Sequence, residues 1–174
     1  VVNLLGDDGD FEVDSNSDGL ADGWISANYS GISLDTTHKV FGSKSQKLTG
    51  RNDGLSIVSN YLHHSVNFNT GDKIYVSVYA KYSTLIANLK LRMVLRDGFA
   101  GTVLSNVTET TVSNINFTRY SKILTTTSNT GSNIGLLIYD AHDATTTAFD
   151  RWIDGVLAIN LTQMFGAGNE PTLE

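Results

Sequence analysis

Residues 74–80 read Ile-Tyr-Val-Ser-Val-Tyr-Ala. Ile74, Val76, Val78 and Ala80 occupy every second position, with Tyr75, Ser77 and Tyr79 between them. Side chains of an extended strand point alternately to opposite faces, so this pattern predicts a strand with one apolar and one mixed face. Residues 89–96 repeat it. Leu89, Leu91, Met93 and Leu95 share one parity; Lys90, Arg92, Val94 and Arg96 share the other. An amphipathic helix would space its apolar residues by three and four, and neither stretch does so.

Working outward, further strands are expected at 24–34, 44–49, 54–68, 118–126, 133–139 and 152–161. Gly, Asn, Asp and Ser separate them, as in Thr70-Gly71-Asp72, Arg96-Asp97-Gly98 and Asn129-Thr130-Gly131-Ser132, which read as turns. No helical pattern exceeds a turn or two, and residues 162–165 are expected to form one short turn. Many short strands at turn-separated intervals point to an all-β sandwich, a jelly roll of two antiparallel sheets. One domain is expected over residues 1–162. Residues 163–174 read as a C-terminal tail leading into a further region of a longer polypeptide.

The net charge of -6 argues against nucleic acid as a partner, because phosphate binding needs clustered Lys and Arg. No run approaches the ~20 apolar residues of a membrane-spanning helix, so membrane insertion is not expected. The chain has no cysteine, which removes disulfides, thiolate zinc sites and thiol nucleophiles. Only 17% of residues are charged, so Ser, Thr, Asn and Gly must supply much of the polar surface. Such a surface suits an extracellular or particle-borne β protein.

Acid is concentrated at the start: Asp7, Asp8, Asp10, Glu12, Asp14, Asp18 and Asp22. In Asp14-Ser15-Asn16-Ser17-Asp18-Gly19-Leu20-Ala21-Asp22, oxygen-bearing side chains recur at 14, 16 and 18. Gly19 allows a sharp turn, Leu20 offers a carbonyl and Asp22 a further carboxylate. Ca²⁺ takes 6–8 hard oxygen ligands, and this spacing wraps several around one point. The expected ion is a structural Ca²⁺ on Asp14, Asn16, Asp18, Leu20 and Asp22. The plainer reading is a solvated turn, since Asp, Asn, Ser and Gly form turns without a metal.

The opening Asn3-Leu4-Leu5, Gly9-Asp10-Phe11-Glu12 and Gly23-Trp24 resembles the start of jelly-roll carbohydrate-binding modules. Residues 42–48, 69–81 and Ile153-Asp154-Gly155-Val156 are similar to later segments of the same modules, in the same order. The resemblance spans nearly the whole chain. It implies a structural calcium where the first and last strands meet, with Asp10, Glu12 and Asp154 contributing. Gly155 stands where such modules often carry a second Asp. Separately, Leu161–Thr172, with its run Phe-Gly-Ala-Gly-Asn-Glu-Pro-Thr, resembles a segment of bacteriophage tail and prophage structural proteins. That implies a virion or extracellular location, other tail subunits as partners, and a host cell-surface polysaccharide or oligosaccharide as ligand.

A sugar needs aromatic faces for its C–H surface and planar polar groups for its hydroxyls. The outward parity of the two clearest strands supplies Tyr75 and Tyr79 with Arg92 and Arg96, and Tyr139 ends a later strand. These five are the expected carbohydrate contacts; ordinary cross-strand pairing is the simpler alternative. Trp24 and Trp152 are expected to be buried. His63 and His64 are adjacent, so on a strand they face opposite ways and cannot share a ligand. Asp140, Asp143, Asp150 and Asp154 are the only candidates for a glycosidase pair, and turn acids explain them as well. The sequence therefore favours a non-catalytic carbohydrate-binding module with structural calcium. The alternatives are a tail interaction module that binds no sugar, and less favoured, a glycan depolymerase.

Overall fold

The computed structural model describes residues 2–27, 29–50, 61–143 and 148–173, and the side chain of Tyr61 lies outside that description. The expected segment 54–68 therefore falls partly outside the described residues. Among the described residues there are ten strands: β1 (Trp24–Ala27), β2 (Gly31–Asp35), β3 (Ser45–Thr49), β4 (Tyr61–Ser65), β5 (Lys73–Tyr82), β6 (Lys90–Asp97), β7 (Thr108–Thr111), β8 (Thr118–Thr125), β9 (Ile134–Ala141) and β10 (Asp150–Asn160). They form two antiparallel five-stranded sheets. Sheet 1 runs β1-β4-β9-β6-β7 and sheet 2 runs β2-β3-β10-β5-β8. The all-β sandwich read from the sequence is the fold.

Alternation explains the core. Ile74, Val76, Val78 and Ala80 of β5 are fully buried, as are Leu91 and Leu95 of β6. Leu62, Leu136, Ile138, Leu48 and Ile153 join them between the sheets. Each buried Val, Leu or Ile among them contributes about 1.5–3 kcal/mol by leaving water, and Ala80 less. The core also contains an ion pair linking the sheets. Arg151 of β10 lies 2.9 Å from Asp140 of β9. Tyr82 donates to Asp140 at 2.8 Å, and Arg151 donates to the Tyr29 hydroxyl at 2.6 Å. Burial alone would lower the Arg151 pKa, but the Asp140 charge outweighs it and the guanidinium stays charged.

Two strand expectations are corrected. Residues 24–34 do not form one strand: β1 joins sheet 1 and β2 joins sheet 2, so the chain changes sheet between Ala27 and Gly31. The strand β7, Thr-Glu-Thr-Thr, leaves no alternation in the sequence because it has no apolar residue. Among the described residues it pairs only with β6, at the edge of the sheet, where polar side chains suffice.

The N-terminal segment closes the sandwich. Leu4 N–H donates to the Ala158 carbonyl at 2.8 Å, and Asn3 Oδ1 accepts from Ala158 N–H at 3.0 Å. Phe11 is fully buried and stacks on Trp24 at 5.1 Å. At the other end, helix α1 (Leu161–Phe165) is capped by Asn160, whose side chain accepts from Gln163 N–H. Glu170 returns to bind Thr162 Oγ1 at 2.7 Å and Lys73 at 3.1 Å, and these hydrogen bonds hold its pKa at about 2.

Candidate functional site

The five expected carbohydrate contacts divide between two surfaces. β5 is in sheet 2 and β6 is in sheet 1, so their outward faces point away from each other. Arg92, Arg96 and Tyr139 lie on the outer face of sheet 1; Tyr75 and Tyr79 lie on the outer face of sheet 2. Parity tells which side of a strand is inward. It does not tell which sheet the strand joins, and residues 83–89 carry the chain from one sheet to the other.

On sheet 1, the register places Tyr61, Tyr139, Arg92 and Glu109 in one cross-strand row, with His63, Leu137 and Val94 in the next. The middle of this face is not bare. Val94, Leu137 and Tyr139 are buried and pack with Phe99, from the turn after β6. His63 is fully buried and meets Phe99 edge-on at 5.8 Å. A Cβ at Gly135 would lie 2.4 Å from His63 Nε2, so the glycine makes room for the ring. Burial lowers the His63 pKa and keeps the imidazole neutral.

Tyr139 is thus a floor, not an exposed platform. The Arg92 guanidinium lies 5.9 Å from its ring centroid. Glu109 accepts from Arg92 Nε at 2.8 Å and from Lys90 Nζ at 2.5 Å, and these bonds lower its pKa. Beside this row is a pocket of about 280 Å³ lined by Asn88, Lys90, Arg92, Ala141, His142 and Asp143. Asn88 Nδ2 donates to Asp143 Oδ2 at 2.7 Å. Arg96 is drawn off to the far end, where it donates to the Gly101 carbonyl at 2.8 Å. Strand parity points to Lys90, Arg92 and Tyr139 but not to Asn88 or Asp143, because loop residues carry no parity.

On sheet 2 the loop between β2 and β3 folds over the outer face. Trp152 is buried there beneath His38 at 4.5 Å, with Lys47 and Lys81 over its ring at 5.4 and 5.6 Å. Trp24 is buried on the inner side, so both tryptophans pack as expected. Phe41 meets Tyr79 edge-on at 5.3 Å.

The expected calcium ligands occupy two places. In loop 14–22, Asp14 accepts from Asp18 and Gly19 N–H at 3.2 and 3.0 Å, Asn16 accepts from Asp18 N–H at 3.2 Å, Asp18 accepts from Leu20 N–H at 2.8 Å, and Asp22 accepts from Ser15 N–H at 3.1 Å. The loop is closed by its own hydrogen bonds. The second place joins Glu12 and Asp154. Glu12 accepts from Ser43 and Lys44 N–H at 2.7 and 3.0 Å and from the Ser43 hydroxyl. Asp154 Oδ2 accepts from Val40 and Phe41 N–H at 2.6 and 2.9 Å. Asp10 Oδ1 accepts from Glu12 N–H at 3.3 Å.

Asp154 is fully buried, and its Oδ1 has no hydrogen-bond partner among the described residues. Burial, then the nearby Glu12 charge, raise its pKa against the backbone donors. A buried, unpaired carboxylate oxygen next to a second carboxylate is an arrangement that a cation relieves, so Glu12 and Asp154 fit one. Among the described residues, no three acidic or histidine side chains gather about one point. Backbone carbonyls or Asn would have to complete either ligand set.

The four carboxylates considered for hydrolysis are dispersed. Asp140 is in the core, Asp143 holds Asn88, Asp150 pairs with Lys47 at 2.9 Å, and Asp154 holds residues 40–41.

No family model matches the sequence, and no curated protein matches it. Solved structures do match in fold. A C-terminal family 22 carbohydrate-binding module of Clostridium thermocellum Xyn10B is 18% identical with a TM-score of 0.61, over 90% of this chain and 92% of that one. A family 16 carbohydrate-binding module is 18% identical with a TM-score of 0.59, over 91% and 100%. Tailspike protein 4 of bacteriophage CBA120 is 13% identical with a TM-score of 0.57; 90% of this chain aligns to 21% of that one. At these identities the likeness is one of fold.

Proposed function

We propose that this chain is a non-catalytic module that binds a bacterial cell-surface glycan through the outer face of sheet 1. The observation that carries the reading is the pocket at Arg92. A guanidinium, an ammonium, a carboxamide and a carboxylate converge there beside a buried tyrosine. The planar, directional groups among them match the paired hydroxyls of a sugar ring, and the ammonium adds a further donor. Glu109 braces Arg92 and Lys90, so part of the ordering cost is met before ligand arrives. The fold shared with carbohydrate-binding modules supports the same reading. The scattering of Asp140, Asp143, Asp150 and Asp154 supports a module without hydrolytic chemistry.

The finer proposal is a place on a phage tail or receptor-binding protein, with other tail subunits as partners. The fold shared with the CBA120 tailspike supports it, as does the sequence run at 165–172. One shallow pocket gives weak binding, and many copies on a particle would supply avidity. Structural Ca²⁺ completes the proposal, on Glu12 and Asp154 with Asp10 near, or on loop 14–22. Bound there, the ion would neutralise crowded carboxylates and fasten the N-terminal segment and the 40–44 loop to β10.

Binding is tested on an array of bacterial wall and capsular polysaccharides, followed by calorimetry. Arg92→Ala should weaken any hit about tenfold or more. A silent array, or equal affinity in the variant, overturns the assignment and favours an interaction module. For calcium, chelator should lower the Tm and added Ca²⁺ restore it. Loss of that response in Asp154→Asn places the ion at the Glu12–Asp154 pair, and loss in Asp18→Asn places it in the loop. Identical melting curves with and without chelator overturn the cation.

A further inference from the structure

The outer face of sheet 2 carries a second pocket, of about 400 Å³. Its walls come from five parts of the chain: Tyr75 and Tyr79 of β5, Arg119 of β8, Phe41 of the β2–β3 loop, Asp7 and Asp10 of the N-terminal segment, and the bulge of β10 at Gly155. We propose that this is a second saccharide site, structurally independent of the one at Arg92, which takes one or two uncharged sugar rings.

The pocket exists because β10 breaks its register there. Its pairing with β5 shifts between Asp154 and Leu157, and Gly155 adopts a φ of 56°. A Cβ at Gly155 would lie 2.5 Å from the Phe41 ring. Glycine therefore lets Phe41 settle against Tyr79 across the bulge. Phe41 is 47% exposed, so its ring offers apolar surface to solvent although it is held at its backbone by Asp154. Tyr75 and Tyr79 are half-buried on the same face.

The polar lining complements the rings. Arg119 is exposed, lies opposite Tyr79 in the register, and has no hydrogen-bond or ion-pair partner among the described residues. An unpaired guanidinium is a ready donor for two neighbouring hydroxyls. Asp7 and Asp10 supply acceptors from the opposite wall. Two carboxylates against one guanidinium disfavour an anionic ligand. Exposed aromatic rings with convergent donors and acceptors suit a molecule with an apolar face and a hydroxylated rim, which describes a neutral sugar. The volume accommodates a chain end or a short disaccharide.

The test uses the intact chain, labelled for NMR, titrated with a panel of neutral mono- and disaccharides at high concentration. Resonances of Phe41, Tyr75, Tyr79 and Arg119 should shift. Phe41→Ala and Arg119→Ala each remove an exposed side chain, so they should weaken the interaction about tenfold with Tm unchanged. Arg92→Ala should leave these shifts intact. A panel that shifts none of the four residues overturns the proposal, as do shifts that survive both substitutions. Shifts confined to Arg92 and Asn88 also overturn it while supporting the site on sheet 1. Shifts confined to Tyr79 and its neighbours support it and count against the other site.

Discussion

The two outer faces of the sandwich start from the same rule and end as different surfaces. On sheet 1 the outward positions of β6 and β9 include Val94 and Leu137, which are as buried as the core, beneath Phe99. On sheet 2 the outward positions of β5 are Tyr75, Ser77 and Tyr79, partly roofed by the 38–44 loop. One face is an apolar layer rimmed by charge; the other is an aromatic pocket beside a bulge. The difference teaches that an outward-facing strand residue is made functional or structural by the loop that lies over it. If that is right, substitutions beneath the Phe99 cover on sheet 1 should act on stability, and substitutions in the open pocket on sheet 2 mostly on binding.

The largest effect should come from the link beneath both faces. Arg151→Leu leaves Asp140 charged, buried and deprived of its ion-pair partner, which costs about 3–5 kcal/mol. Urea denaturation should show this, and binding at both faces should fall together. The pair Arg151→Met with Asp140→Leu should recover most of the loss, since a buried pair replaced by apolar groups is often neutral. A double variant no better than the single one would mean that the network with Tyr29 and Tyr82 contributes beyond the charges.

The comparison itself is tested next. Leu137→Ala, on an outer face, should cost about 2–4 kcal/mol, as a core leucine does. Tyr79→Ala on the other face should cost much less, because the half-exposed ring leaves a dent open to water and no sealed cavity. Equal losses would erase the distinction drawn between the surfaces.

Much of this was legible in the sequence, and the failures have physical causes. The alternation at 74–80 and 89–96 identified strands, parity and the inner face, because burial of every second residue leaves a direct imprint. It did not identify sheet membership, which depends on where 83–89 crosses, and those loop residues have no periodic constraint. Val94 was readable as a β-branched intruder among Lys90, Arg92 and Arg96, a sign that something covers this face. Phe99, six residues from Met93, gave no sign that it was the cover. The pocket lined by Tyr75 and Tyr79 needed Gly155, Phe41 and Arg119, which are far apart in sequence and meet only through the bulge.

Acid should distinguish the faces as well. Burial lowers the His63 pKa, so the folded state holds fewer protons than the unfolded chain near the ordinary histidine value of about 6.5. The stability that follows is fully present above that pH and is lost as pH falls through the lowered folded value. Tm should therefore decline below about pH 6.5, and His63→Gln should flatten that decline. A variant whose Tm follows pH as the parent does would assign the acid response to other groups.

The smallest effect is expected at Glu109, and it sharpens the reading of sheet 1. Its carboxylate bridges Lys90 and Arg92 at the edge of the sheet, with 39% of the side chain exposed. Water and salt screen such pairs, so Glu109→Gln should change stability by less than about 1 kcal/mol. The bonds from Lys90 and Arg92 lower its pKa, so the carboxylate remains ionised as pH falls below the usual range and the brace persists in mild acid. Affinity is the informative readout. With the brace gone, the ligand must bear more of the cost of ordering Arg92, and glycan binding should weaken by a factor of a few while the Tm barely moves. An unchanged affinity would mean that the Tyr139 ring, not Glu109, holds Arg92 in place.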